Sequence, residues 1–169
     1  MFFIKSVIYI LIFFASTYIG ILISKQYKNR VTELNEVKIA LNTLKTKIRF
    51  TNQTLQDIFN EISLNSKGNI NNLFKNMALK LNNNNASYAW ESSIDECFSY
   101  LKKDDRQALK SMGKLLGKTD LEGQLSEIEL TEALLETQIS EAKKERDKNE
   151  KLYKTLGMIT GVGIVIILI

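Results

Sequence analysis

The chain has 169 residues, a formal net charge of +4, one cysteine, no proline and no histidine. Without histidine the commonest general base and metal ligand is missing, and a single cysteine excludes an intrachain disulfide and a cysteine-rich zinc site. The absence of proline and the abundance of Leu, Ile, Lys, Glu and Asn favour helices, and the length allows a modest core.

Residues 6–24 (SVIYILIFFASTYIGILIS) carry no charge and would reach ~28 Å as a helix, close to a bilayer core. The segment is long for a signal-peptide core, no small-x-small cleavage site follows it, and the lone Cys97 is far away, so a retained anchor is expected. Val31, Leu34, Val37, Leu41, Leu44 and Ile48 then recur every three or four residues, an apolar stripe on a helix continuous with that anchor. Residues 51–54 (TNQT) interrupt it and cap a short helix facing Leu55, Ile58, Phe59 and Ile62 inward. After a turn at 65–69 (NSKGN), a third helix turns Ile70, Leu73, Phe74, Met77 and Leu81 to the core and ends in 82–85 (NNNN).

Ser87 is the expected cap of a helix running through Trp90, Ile94, Phe98 and Leu101, with Trp90 as a core anchor. Asp104 or Asp105 begins the next helix, holding Leu109, Met112, Leu115 and Leu116, and Gly117 closes it in a left-handed conformation. Asp120 caps the last and longest helix, whose Leu121, Leu125, Ile128, Leu135, Ile139 and Ala142 follow at helical spacing. That helix runs unbroken into residues 155–169 (TLGMITGVGIVIILI), ~22 Å of uncharged sequence that becomes a full span if it begins near Leu152 and Lys154 snorkels. Within it, Gly157-x-x-x-Gly161 offers close approach to another helix.

The expected fold is all-α: an antiparallel helical bundle at 25–154 with a transmembrane helix at each end, 1–24 and 155–169. Basic residues crowd the inner flanks of both anchors (Lys25, Lys28 and Arg30; Lys143, Lys144, Arg146, Lys148, Lys151 and Lys154), whereas the outer ends offer only Lys5 and the N-terminal amine. The positive-inside rule therefore places the middle in the cytoplasm and both termini outside. The same distribution makes the anionic inner leaflet a better partner than nucleic acid. No GxxxxGK[ST] or GxGxxG motif supports nucleotide binding, and neither a metal nor another cofactor is indicated. Cys97 reads as a packing cysteine. The mixed-charge strip 127–154 on the last helix is the best candidate partner surface, although such strips are usually solvated helix faces.

Several fragments, taken in order, resemble the stage III sporulation protein AB family of endospore-forming bacteria. They are the N-terminal anchor with its basic stop, Ala89-Trp90-Glu91, Leu116-Gly117-Lys118-Thr119-Asp120 with Gln124 and Ile128, and Tyr153-Lys154-x-Leu156-Gly157 with Gly161 before the apolar tail. The family is similar to the cytoplasmic module of the inner-membrane platform protein of type II secretion and type IV pilus machines, which couples a hexameric ATPase to a membrane assembly. The resemblance implies a non-catalytic platform in the channel joining mother cell and forespore, with a stage III AA-like ATPase and other stage III proteins as partners. It implies structural or interaction roles for Trp90, Leu116, Gly117, Asp120, Gln124, Gly157 and Gly161. A rival from the same residues is a membrane tether that self-associates through its helices, but the stripe breaks at Thr51, Asn65, Asn82 and Gly117, which suits short bundle helices better than a coiled coil.

Overall fold

The computed structural model describes the backbone of Phe2–Leu168 and the side chains of Lys5 and of residues 7–168. Met1 with its amine and Ile169, the outermost residues of the two expected anchors, lie outside the described residues. Six α-helices follow one another: α1 (Phe2–Phe50), α2 (Leu55–Asn65), α3 (Gly68–Lys80), α4 (Ala86–Cys97), α5 (Lys103–Gly113) and α6 (Leu121–Leu168). No strand occurs among the described residues, and the fold is all-α. The chain divides into two compact units, Met1–Val31 with Glu141–Ile169, and Thr32–Ser140.

In the unit Thr32–Ser140 the apolar stripes decide the packing. Leu34, Val37, Leu41, Leu44 and Ile48 of α1 are buried, as are Leu125, Ile128, Leu135 and Ile139 of α6. The two helix segments run antiparallel, with a ladder of ion pairs beside the apolar seam: Lys38–Glu136 (2.5 Å), Lys45–Glu132 (2.5 Å) and Arg49–Glu129 (3.3 Å). Three acids of the expected partner strip, Glu129, Glu132 and Glu136, are thus at work inside the chain. Thr131 takes a stripe position of α6, its hydroxyl donating to the Glu127 carbonyl at 2.9 Å, whereas Leu121 lies outside the stripe and exposed.

The shorter helices begin where their caps permit. The Thr54 hydroxyl accepts from the Asp57 amide at 3.2 Å, and the Asp120 carboxylate accepts from the Gly123 amide at 3.0 Å. Asn85, rather than Ser87, caps α4, its side-chain oxygen accepting from the Tyr88 amide at 2.9 Å. α5 starts at Lys103, ahead of Asp104, because the buried Asp105 carboxylate reaches back to the Lys102 amide at 2.8 Å.

α4 also ends earlier than its apolar spacing suggests. Phe98 has φ −112° and ψ 125°, so residues 98–102 leave the helix, yet Phe98 and Leu101 remain buried. Arg106 makes this possible. Its guanidinium donates to the Phe98 carbonyl, and to those of Leu101 and Asp95 at 3.3 Å each, satisfying acceptors that the end of a helix leaves orphaned. α5 in turn stops at Gly113. The turn after it carries Leu115 half-exposed, Leu116 buried, and Gly117 at φ +73°, so Gly117 sits beyond the helix end rather than at it.

The centre of this unit is aromatic. Phe59 meets Phe74 edge-on at 5.6 Å, and Phe74 meets Trp90 at 6.4 Å and 81°. The Trp90 indole N–H donates to the Leu109 carbonyl at 2.7 Å, and Gly113 lies beneath the ring. A Cβ on Gly113 would stand 2.3 Å from Cδ1 and 2.7 Å from Cγ of Trp90, so α5 approaches α4 only because this position has no side chain.

Candidate functional site

Three groupings hold the residues that bear on function, and each lies within one unit. In the unit Met1–Val31 with Glu141–Ile169, α1 and α6 again pair antiparallel, here through glycines. A Cβ on Gly157 would meet the Ser16 carbonyl at 2.9 Å and Gly20 Cα at 3.0 Å, and one on Gly20 would meet the Tyr153 carbonyl at 2.5 Å. The Ser16 hydroxyl donates to the Gly157 carbonyl at 2.8 Å. One turn further, Gly161 is buried, and a Cβ there would meet Phe13 at 3.2–3.3 Å. The close approach expected of Gly157 and Gly161 is therefore made by the chain's own first helix. The spacing of the two glycines could not name Ser16 and Gly20 as their counterparts. Both α1 and α6 are long and apolar enough to cross a membrane, and their apolar stretches are largely exposed.

Beside the glycine pairing, Tyr27 stacks on Tyr153 with centroids 5.8 Å apart and planes 13° from parallel. The charged flanks follow: Lys25, Lys28 and Arg30 on α1, and on α6 a run from Glu141 to Lys154. Arg30, buried, binds Glu145 at 2.8 Å; Arg146 binds Asp147 and Lys154 binds Glu150, each at 2.7 Å.

The third grouping, in Thr32–Ser140, is the corner into α6. The Gly117 amide donates to the Gln124 side-chain oxygen at 3.1 Å, and the Gln124 side-chain amide donates to the Thr119 carbonyl at 3.0 Å. Leu116 is buried, and the Gly117 Cα faces Leu55, which a Cβ would meet at 3.2 Å. Leu116, Gly117, Asp120 and Gln124 are thus brought together as one hydrogen-bonded corner that sets the direction of α6. Trp90 belongs instead to the aromatic core.

Glu33, which the sequence did not single out, is a second organising group of this unit. It is 4% exposed, accepts from Asn69 Nδ2 at 2.9 Å and from the Tyr100 amide at 3.0 Å, and so ties α1 to α3 and to the extended connector 98–102. Burial pushes its carboxyl above the usual range, and hydrogen bonds from Tyr100, Ser99 and Asn69 oppose that. A carboxyl raised in the folded state favours folding when protonated. That contribution is full below the unfolded carboxylate pKa and is lost as pH rises through the higher folded value. Comparing thermal midpoints of the wild type and Glu33→Gln from pH 7 down to pH 4 should therefore show the wild type gaining on the variant. A gap independent of pH would contradict it.

Nothing in these groupings resembles a catalytic centre. Among the described residues no three His, Cys, Asp or Glu side chains gather to hold a metal. Burial pushes the Cys97 thiol up, away from the thiolate a nucleophile needs. A groove of about 350 Å³ between α1, α2 and the turn after α2 is floored by Ala40, Ile62 and Ile70. Its rim is the Lys47–Glu61 ion pair at 2.5 Å, which holds Glu61 below the usual carboxylate range.

Comparison with known proteins decides the family. The family model described as Stage III sporulation protein AB matches residues 5–169. The chain belongs to the stage III sporulation protein AB family. It is 28% identical over 158 residues to Stage III sporulation protein AB of Bacillus subtilis (strain 168), covering 91% of this chain and 92% of that protein. A solved structure of Stage III sporulation protein AB is similar with a TM-score of 0.65 and 25% identity, covering 71% of this chain and 98% of the solved one. Membership in the stage III sporulation protein AB family implies a role in sporulation, and the matched names carry no enzymatic activity. The seven residues singled out from the sequence all fall inside the matched span.

Proposed function

We propose that this member of the stage III sporulation protein AB family is a non-catalytic membrane platform in the channel between mother cell and forespore. It docks a cytoplasmic secretion-type ATPase, similar to stage III protein AA, together with other stage III proteins. The observation that carries the reading is a family match that runs through both apolar ends and the charged middle alike. In this reading residues 1–24 and 155–169 span the mother-cell membrane facing the forespore, residues 25–154 lie in the cytoplasm, and both termini are outside. The basic flanks of the spans support that orientation. Gly157 and Gly161 pack the two spans together, and Trp90, Leu116, Gly117, Asp120 and Gln124 hold the shape that the partner meets.

Glu129, Glu132, Glu136 and Glu145 of the strip 127–154 are occupied by ion pairs with α1, so the ATPase contact falls to side chains that these pairs leave exposed. The test uses the full chain in lipid nanodiscs and the purified ATPase. Saturable binding, with a changed rate of ATP hydrolysis, is expected. Two folded proteins that neither bind nor alter turnover would count against ATPase docking.

A further inference from the structure

We infer that the lysines flanking the two apolar segments form a binding site for the phosphate headgroups of anionic phospholipids, centred on Lys144, Lys148 and Lys151. The inference rests on the reading above that both segments cross a membrane. It names the residues and the lipid chemistry at that boundary.

The first observation is what the chain neutralises by itself. Glu145 is taken by Arg30, Asp147 by Arg146 and Glu150 by Lys154. Lys154 holds the Glu150 carboxyl below its usual range, and Lys28 and Arg146 add to the effect. With these three acids occupied and only Glu141 of the run left over, Lys25, Lys143, Lys144, Lys148 and Lys151 stand exposed without an ion-pair partner among the described residues. Lys144, Lys148 and Lys151 follow at i, i+4 and i+7, one face of α6 over about 10 Å.

Like charges at that spacing repel and weaken a helix on its own. The ladder between α1 and α6 in Thr32–Ser140 shows the opposite arrangement, where each of three bases faces an acid. A row of exposed lysines raises the local positive potential, which draws anions, and compact ammonium groups suit phosphate. The second observation identifies the source of that anion. Tyr153, stacked on Tyr27, lies in sequence between Lys144, Lys148 and Lys151 and the apolar stretch of α6, the place of aromatic side chains at a bilayer surface. Lys151 and Lys148 follow Tyr153 within about 8 Å along α6, at the level of the headgroups, and Lys144 stands one turn further out, where the potential of anionic lipids still attracts basic side chains.

The full chain is reconstituted into phosphatidylcholine vesicles containing a minor fraction of phosphatidylglycerol, extracted in mild detergent, and its retained lipids are identified by mass spectrometry. Phosphatidylglycerol is expected to be enriched several-fold over the vesicle composition. Enrichment should vanish in K144Q/K148Q/K151Q and at high salt, and persist in K67Q/K75Q/K118Q, which removes the same charge elsewhere. Incorporation without enrichment, or equal enrichment in K144Q/K148Q/K151Q, overturns the inference and leaves the spanning reading intact. Failure of the wild-type chain to incorporate into either pure phosphatidylcholine or mixed vesicles overturns both.

Discussion

Gly113→Ala is expected to destabilise the protein by about 2 kcal/mol or more, the cost of overpacking a core. In an open helix interior the same change would stabilise by roughly 1 kcal/mol. The sign reverses because the added methyl would fall 2.3 Å from the Trp90 ring, which is 1% exposed and fixed by its hydrogen bond to Leu109. Thermal unfolding of the full chain in nanodiscs, followed by the fluorescence of the lone tryptophan, should show a midpoint several degrees lower. Combining Gly113→Ala with Trp90→Leu should cost less than the two single changes summed, since neighbours that clash are not additive. An unchanged or raised midpoint for Gly113→Ala would mean that α5 does not rest on Trp90.

The second large effect lies between the apolar segments. Gly157→Leu places a branched side chain where the backbone of α1 stands about 3 Å away, and the Ser16–Gly157 hydrogen bond cannot survive the separation that follows. In lipid, where no hydrophobic force drives helix against helix, close packing and such hydrogen bonds hold the pair together. Tyr9 and Val165 line one crevice of this pair. Cysteines introduced there, in a Cys97→Ser chain, should cross-link readily, and adding Gly157→Leu should cut the yield several-fold. Equal yields with and without Gly157→Leu would show that the glycines do not govern the pairing.

Much of the fold was legible because helical spacing and caps are local. The stripe from Leu34 to Ile48 and the caps at Thr54 and Asp120 stand where the sequence places them. What escaped depends on residues far apart in the chain. The end of α4 at Cys97 is set by Arg106 and Glu33, which satisfy the backbone of the connector, and no periodicity within α4 carries that information. Asn85 displaced Ser87 as a cap because either residue can serve and neighbouring helices choose between them.

The candidate site was readable in the same uneven way. Gly157 and Gly161 announce a close approach, but only the folded chain names Ser16, Gly20 and Phe13 as what approaches. Leu116, Gly117, Asp120 and Gln124 lie close enough in sequence to be grouped beforehand, and they do form one corner. Gly113 gave no signal, because a glycine near the end of a short helix looks like a stop rather than a seat for an indole. The charged strip of α6 looked like open surface until α1 supplied its counterions.

The platform role itself is tested most directly by deleting the gene in the organism that carries it and following cells induced to sporulate by microscopy and heat resistance. Arrest after engulfment with a shrinking forespore, reversed by the wild-type gene, is expected. Normal numbers of heat-resistant spores from the deletion strain would contradict that role.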